Sequence, residues 1–387
     1  MIDTSNHTFI ATAAFGLEGL VKRELLRLGF ADARAENGGV RFTADFAGAF
    51  TTCLWLACAD RVLLLIAEGE ARSFEELFQL VKGIAWERLM SRNAAIHVSG
   101  KCVRSQLMSV RDCQAITKKA IVQRLGQQWH MDRLPENGPV YPVEVAVVND
   151  TARITLDMSG DALNRRGYRT WNGEAPIRET LAAALVDISP WRKGMRLYDP
   201  CCGTGTLLIE AAMRAINRPA GIRRGFACEN YPFLDGSQMQ AVRRQLAAQE
   251  TDDAFDIGGS DINPETLELC GRHIRQAGFE GRIQVRQQDL RTLTLEGAPG
   301  VFLCNPPYGE RLSDQKGARE LYRAMGEMWR RHPGWALCAI TADPGFERAF
   351  GRRADKKRRL YNGRLECEFV TYFGHPASFY HGKEDVS

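Results

Sequence analysis

Arg196-Leu197-Tyr198-Asp199-Pro200-Cys201-Cys202-Gly203-Thr204-Gly205-Thr206 decides the fold. An apolar strand over 195–199 closes on an acidic residue, two glycines make a turn, and helical spacing then runs over 207–216. A strand that passes through a glycine turn into a helix places a ligand at the carboxyl edge of a parallel sheet. Gly203 and Gly205 permit tight backbone geometry and close approach, and the helix start offers N–H groups to an anion.

Beyond that turn the alternation continues. Apolar runs at 257–261, 283–287, 301–305, 335–341 and 368–373 read as further strands, with helical spacing between most of them. Such alternation predicts a mostly parallel sheet covered on both faces, so 176–387 reads as one α/β domain. Ahead of it the character differs. A weak alternation at 8–13, a helical stripe of Leu17, Leu20, Val21, Leu25 and Leu28, a strand at 40–42 and a helix at 46–57 make a small α+β unit over 1–60. The pattern restarts at Arg61: an apolar run to 67, helices at 74–81 and 111–125, a strand at 95–99, and alternation at 143–148 and 153–156 make a second α+β unit over 61–160. The stretch 161–175 has no period and reads as an ordered linker. Its Arg165, Arg166 and Arg169, beside Tyr168 and Trp171, suit a nucleic-acid chain and a charged surface loop equally.

The glycine turn also narrows its ligand. A dinucleotide site would place a third glycine where Leu208 stands, and a phosphate-binding loop would need Gly-Lys-Ser/Thr, which is absent. Asp199 would repel a phosphate but hold the ammonium of a methionine moiety, leaving its carboxylate to the helix start at Thr206. Two more acidic strand ends follow in order: Asp261 can accept both hydroxyls of a ribose, and Asp289 the amino group of an adenine. The set Asp199, Gly203, Gly205, Thr206, Asp261 and Asp289 therefore fits S-adenosylmethionine. An acidic strand end can also cap the next helix, and for Asp261, ahead of Asn263 and Pro264, the two readings stand level. Three in succession favour the ligand.

Asn305-Pro306-Pro307-Tyr308 follows another buried strand. The prolines fix the backbone and remove N–H donors, so carbonyls are presented. The Asn305 side-chain oxygen and the Pro306 carbonyl can accept both hydrogens of a flat aryl amine and turn its lone pair toward a methyl donor, so Asn305 also borders the cofactor; Tyr308 can stack on the base. No general base need act first, because the amine can lose its proton after transfer. The plain alternative is a rigid turn between strand and helix. Cys304 is a rival as a nucleophile for carbon methylation, but it lies on the strand side of the turn without a nearby activator and reads as core.

Together, DPCCGTGTLLIEAA, SDINPE, QQDL and NPPYGER resemble the Rossmann-like class I methyltransferases of the THUMP-containing RNA guanine-N(2) group. Upstream, FEELFQLVKGIAWERL, GKCVRSQLMSVRDCQAITKKAIVQRL and LDMSGDALNRRGYR resemble that group's THUMP domain and exit linker, so the resemblance covers nearly the whole chain. APIRETLAAAL and the insertion IRRGFACENYPFLD are similar to the large-subunit ribosomal RNA methyltransferase L type. The resemblance implies an α/β protein: a ferredoxin-like α+β unit (1–60), a THUMP RNA-binding domain (61–160), a linker (161–175), and a Rossmann-like class I methyltransferase domain (176–387) with a mostly parallel seven-stranded sheet. It also implies cofactor contacts at Asp199, Gly203, Gly205, Asp261 and Asp289, and a guanine N-2 amine held by Asn305 to Tyr308. Some members of the type carry a second methyltransferase domain, whereas this chain ends soon after its last expected strand, so only the guanine-N(2) activity carries over. Related transfer-RNA guanine methyltransferases share the three-part plan. A DNA adenine or protein-glutamine amino methyltransferase would use the same tetrapeptide, and a non-catalytic RNA-binding protein would show a damaged clamp or glycine loop, which are both intact here.

The bulk numbers agree without deciding. With 51 Lys and Arg against 47 Asp and Glu, the net charge is +4, which permits a nucleic-acid partner without requiring one. The basic segments expected to meet RNA are Lys101 and Arg104, Lys118 and Lys119, Arg223 and Arg224, and the run Arg352, Arg353, Lys356, Lys357, Arg358 and Arg359, in addition to the linker arginines. Eleven scattered cysteines, odd in number and mostly in apolar runs, read as reduced thiols, and no Cys or His spacing indicates a metal. Nowhere do eighteen apolar residues run together, and the amino terminus lacks a leader pattern. The expectation is a cytoplasmic protein with no metal and no membrane, whose partner is RNA, ribosomal rather than transfer RNA.

Overall fold

The structure, a computed structural model, describes residues 5–169, 177–308 and 312–374. The linker positions from 170, Trp171 among them, and Gly309 to Arg311 of the NPPYGER stretch lie outside the described residues. Those described form fourteen strands: β1 (His7–Thr12), β2 (Arg34–Glu36), β3 (Gly39–Ala44), β4 (Arg61–Glu70), β5 (Ala95–Val103), β6 (Val140–Val148), β7 (Thr151–Asp157), β8 (Leu197–Asp199), β9 (Ile257–Asp261), β10 (Gln284–Gln287), β11 (Val301–Cys304), β12 (Ala336–Thr341), β13 (Lys356–Asn362) and β14 (Leu365–Tyr372). The helices are α1 (Glu18–Arg27), α2 (Phe46–Trp55), α3 (Phe74–Lys82), α4 (Val110–Trp129), α5 (Glu179–Ile188), α6 (Thr206–Ala215), α7 (Gly236–Ala247), α8 (Pro264–Gln276), α9 (Leu312–Arg331) and α10 (Phe346–Phe350). The chain divides into two units. One gathers the residues up to 13, Val21–Leu163 and Gly221–Ala247; the other gathers Ala14–Leu20, Asn164–Ala220 and the residues from 248 onward.

In the first unit, β1 to β7 form a single sheet in the order β2-β3-β1-β4-β7-β6-β5. Every neighbouring pair is antiparallel except β5 and β6. The two α+β patterns read from the sequence meet in β4, whose first residues pair with β1 while its length pairs with β7. The division at 60/61 thus falls at the head of a strand that both halves share. The helices start where their caps dictate: Asp45 accepts the Gly48 N–H at 2.7 Å ahead of α2, and Ser73 with Glu76 makes a reciprocal box ahead of α3. Val21 and Leu25 of α1 are fully buried, and Glu24 on the same helix is only 5% exposed because it accepts the N–H groups of Ala57 and Cys58 at 3.2 and 3.1 Å.

The segment after α6 changes units. The stretch read as an insertion packs within the first unit, where Tyr231 stacks on Tyr141 at 5.0 Å and donates its hydroxyl to the Asp157 carbonyl. Gly221 donates to the Leu54 carbonyl at 2.7 Å, and Arg224 donates to the carbonyls of Ser159, Asp161 and Ala162.

In the second unit, the remaining strands order as β10-β9-β8-β11-β12-β14-β13, the expected mostly parallel seven-stranded sheet. Strands β8 to β12 run parallel, and β14 and β13 return antiparallel. From β8 the chain proceeds outward to β9 and β10, then comes back to β11 on the other side, which makes the β8/β11 junction a topological switch point. Val301, Phe302, Leu303 and Cys304 of β11 and all six residues of β12 are buried, as strands covered on both faces should be. The observed strands match the expected ones to within a few residues, with one omission. The basic run at 356–359 is not a free charged segment but the start of β13, the edge strand, where lysine and arginine also discourage further pairing.

Candidate active site

Parallel strands bring their carboxyl ends to one edge, and the strand order fixes which of them are neighbours. Along that edge stand Asp289 after β10, Asp261 at the end of β9, Asp199 at the end of β8 and Asn305 after β11. Three acidic strand ends and Asn305, far apart in sequence, are therefore neighbours along one edge, with Asp199 and Asn305 on either side of the switch point. The β8–β9 approach is close: a Cβ on Gly259 would meet the Asp199 carbonyl at 2.8 Å and Cys202 Cβ at 2.9 Å.

Each carboxylate has its own environment. Asp199 is 1% exposed and accepts the Cys201 N–H at 3.0 Å, and no cation pairs with it among the described residues. Burial, and then the nearby Asp261 charge, push its pKa well above the usual carboxylate range. A buried carboxylate without a cation is a seat for one, and this is the feature that fits the ammonium of S-adenosylmethionine. Asp261 accepts the Gly203 N–H and the Asn263 N–H, both at 3.0 Å, while Asn263 itself caps α8. The Asp261 carboxylate thus ties the glycine turn to the next helix, and the capping role belongs to its neighbour. Ahead of the short turn Leu290–Thr292, Asp289 accepts the Arg291 N–H at 2.8 Å; burial alone would raise its pKa, but that N–H and the Arg291 guanidinium outweigh it and hold it low.

Gly203 and Gly205 have φ of +51° and +82°, and a Cβ on Gly205 would meet Cys270 Sγ at 2.6 Å. No side chain caps the first turn of α6, which leaves its N–H groups for a carboxylate. The Thr206 hydroxyl is taken by Arg169. Sequence reasoning missed Ile262, 61% exposed beside Asp261, an apolar surface on which a flat ring can rest. The signal was there, as a large aliphatic residue set among polar ones in SDINPE.

The clamp is built from both directions. Pro306 is buried and the Pro307 carbonyl is held by the Tyr322 hydroxyl of α9 at 2.8 Å, so the turn is fixed from the helix side. Tyr322 was also missed, since a tyrosine in a helical stripe reads as core. Tyr308 lies half-buried with its hydroxyl donated to Asn305 Oδ1, so the acceptor expected for a substrate amine has an internal donor on it here. Burial pushes the Tyr308 phenol far up and keeps it a donor. Cys304 is fully buried, its thiol pushed far up by burial, which fits a core residue rather than a nucleophile.

The cations chosen from the sequence divide sharply. Arg166 is 3% exposed and paired with Glu210 at 3.3 Å, and Tyr168 donates to the same carboxylate at 3.1 Å. Arg169 pairs with Glu179 at 3.2 Å. These two guanidiniums tie the linker to α6 and α5, Arg166 buried and Arg169 mostly covered, so they do not form the RNA surface expected of them. Lys101 pairs with Glu144, Lys118 with Glu136, and Lys357 with Glu347 and Glu368. Lys119 lies 5.9 Å from the Phe78 ring centre, while Arg104, Arg165 and Lys356 are exposed.

Three family models match the chain in succession: an RlmL ferredoxin-like domain over 8–63, a THUMP domain over 71–157 and an RMKL-like methyltransferase domain over 166–371. YpsC of Bacillus subtilis (strain 168), provisionally named an RNA methyltransferase, is 38% identical over 95% of this chain and 96% of its own. The ribosomal RNA large subunit methyltransferase K/L of Methylococcus capsulatus is 35% identical over 98% of this chain, which spans only 53% of that protein. Among solved structures, SMU.472, provisionally a methyltransferase and complexed with SAH, is 39% identical with a TM-score of 0.90, covering 96% of this chain and 98% of that one. A predicted N6-adenine-specific DNA methylase from Listeria monocytogenes str. 4b F2365 is 38% identical with a TM-score of 0.91, covering 96% and 97%.

Proposed function

The chain belongs to the family of RMKL-like methyltransferases and uses S-adenosylmethionine to methylate RNA, and from this premise we propose that its target is the N-2 amino group of a guanine in large-subunit ribosomal RNA. The observation that carries the reading is the row Asp289, Asp261, Asp199, Asn305 along one sheet edge, which sets a cofactor seat beside an amine clamp. Similarity to the K/L protein through nearly the whole chain supports ribosomal RNA, and the motif resemblance supports guanine N-2.

S-adenosylmethionine, when bound, supplies a methyl group on a positively charged sulfur. The chain's own residues do the rest. Asp199 would hold the ammonium, the start of α6 the carboxylate, and Asp261 and Asp289 the ribose and adenine. The target amine takes the place of the Tyr308 hydroxyl on Asn305 Oδ1 and gives its second hydrogen to the Pro306 carbonyl. Holding both N–H hydrogens in this way would turn the amine lone pair away from the two acceptors and free it to react. The freed Tyr308 ring stacks on the base, and the surplus proton of the methylated amine passes to water.

Mass spectrometry of ribosomal and transfer RNA from a deletion strain tests the substrate: one N(2)-methylguanosine should be missing from large-subunit ribosomal RNA. A loss in transfer RNA would move the target there. A loss of N6-methyladenine from DNA would instead support the reading suggested by the Listeria protein's name. Asn305→Ala should abolish transfer and leave cofactor affinity nearly intact, since the clamp acts on the substrate; normal methylation by that variant would remove the clamp from the mechanism.

A further inference from the structure

The turn between β13 and β14 stands at the same sheet edge as the clamp, because Glu368 of β14 pairs with Thr341, the last residue of β12. Asn362, which ends β13, lies close to the Tyr308 hydroxyl. One residue earlier, Tyr361 meets Phe15 edge to face, ring centres 5.6 Å apart. Phe15 comes from Ala14–Leu20, the short early segment gathered with the catalytic unit. At 67% exposure it is the most exposed phenylalanine among the described residues.

Its loop is nevertheless held. Gly16, at φ +87°, donates its N–H to Glu18 Oε2 at 2.8 Å, and its carbonyl accepts from Arg358 Nη2 at 2.7 Å. Leu17 beside it is 2% exposed, and the Tyr361 hydroxyl is fixed by Glu366 at 3.0 Å. A phenyl ring anchored at its backbone and left exposed keeps a face available for stacking. In the turn of the same hairpin, Arg364 is exposed and makes no ion pair among the described residues, while Arg359 on β13 pairs with Glu366.

We infer that Phe15 and Tyr361 form a stacking platform for a base adjoining the methylated nucleotide, so that the strand is pinned on the aromatic pair while its target amine enters the Asn305 clamp. The inference rests on the RNA reading above. Rings beside an exposed arginine suit a single strand: a base stacks on the rings and a phosphate meets the guanidinium.

The test uses the full chain and a single-stranded RNA of about twelve nucleotides with 2-aminopurine next to a guanine, whose fluorescence falls when the base stacks on an aromatic ring. Phe15→Ala should weaken binding about tenfold to a hundredfold and remove the quenching. Tyr361→Ala should act in the same direction, Phe15→Trp should keep both signals, and cofactor affinity by calorimetry should not move in any of them. Phe15→Ala with wild-type binding and quenching overturns the platform, as does an equal loss of cofactor affinity, which would mark the ring as structural. If the wild-type chain neither binds this RNA nor methylates RNA, the RNA reading fails and the platform with it; if methylation persists and only the Phe15 variant is silent, the platform alone fails.

Discussion

Asp199 concentrates the physical argument at the residue scale. It is a buried carboxylate with an N–H donor, a second carboxylate nearby and no cation. With its pKa raised in the folded chain, the group favours folding when protonated, at pH below the ordinary carboxylate value, and loses that contribution as pH rises through the raised pKa. Asp199→Asn keeps an oxygen for the Cys201 N–H and removes the buried charge. In differential scanning calorimetry at neutral pH without cofactor, the variant should therefore melt higher, by about 2–4 °C for each kcal/mol recovered in a domain of this size. The same variant should bind S-adenosylmethionine more weakly, and wild-type affinity should fall as pH drops through the raised pKa, since a protonated Asp199 no longer attracts an ammonium. A variant with lower melting temperature and unchanged affinity would contradict both. The positions of Asp199, Asp261, Asp289 and Asn305 on one sheet edge were legible in the sequence because each stands at or just after a strand's carboxyl end, a place that periodicity reveals. Ile262 and Tyr322 were not, because an aliphatic residue in a turn and a tyrosine on a helical stripe look the same whether they serve packing or a site.

At the scale of elements, the linker and the edge strand carry the correction. Three arginines beside two aromatics read equally as a nucleic-acid grip or a charged surface loop, yet Arg166 and Glu210 form a pair with side chains 1% and 2% exposed. Removing one member of such a pair leaves an uncompensated charge, so Arg166→Met should cost about 3–5 kcal/mol in denaturant unfolding. Lys118→Ala breaks an exposed pair with Glu136 and should cost no more than about 1 kcal/mol. Similar values for the two would show that the linker tie is dispensable. The run 356–359 went unread as a strand because four consecutive cations mask the alternation, while its pairing with β14 supplies the ladder that holds it.

For the whole molecule, a net charge of +4 conceals how little of the positive charge is unspoken for. Of the fifteen cations expected to meet RNA, Lys101, Lys118, Arg166, Arg169, Arg352, Lys357 and Arg359 already face carboxylates. If all fifteen met phosphates of a single strand, log K would fall with log salt at a slope of about −10. With those seven neutralised internally, the slope should be no steeper than about −6 by the same relation, measured by filter binding or fluorescence anisotropy across salt concentrations; a slope of about −10 would mean that RNA displaces those carboxylates. The sequence by itself determined the α/β domain, the two α+β patterns ahead of it, and the placing of Asp199, Asp261, Asp289 and Asn305 at strand ends, because all of these are written in local periodicity. Only the tertiary structure decided that the two front patterns share one sheet through β4, that the segment 221–247 packs in the first unit, and that Arg166 and Arg169 are internal. It also set Phe15 beside Tyr361. Those outcomes depend on which distant groups meet and exclude water, and neither the spacing nor the charge of a single stretch contains that information.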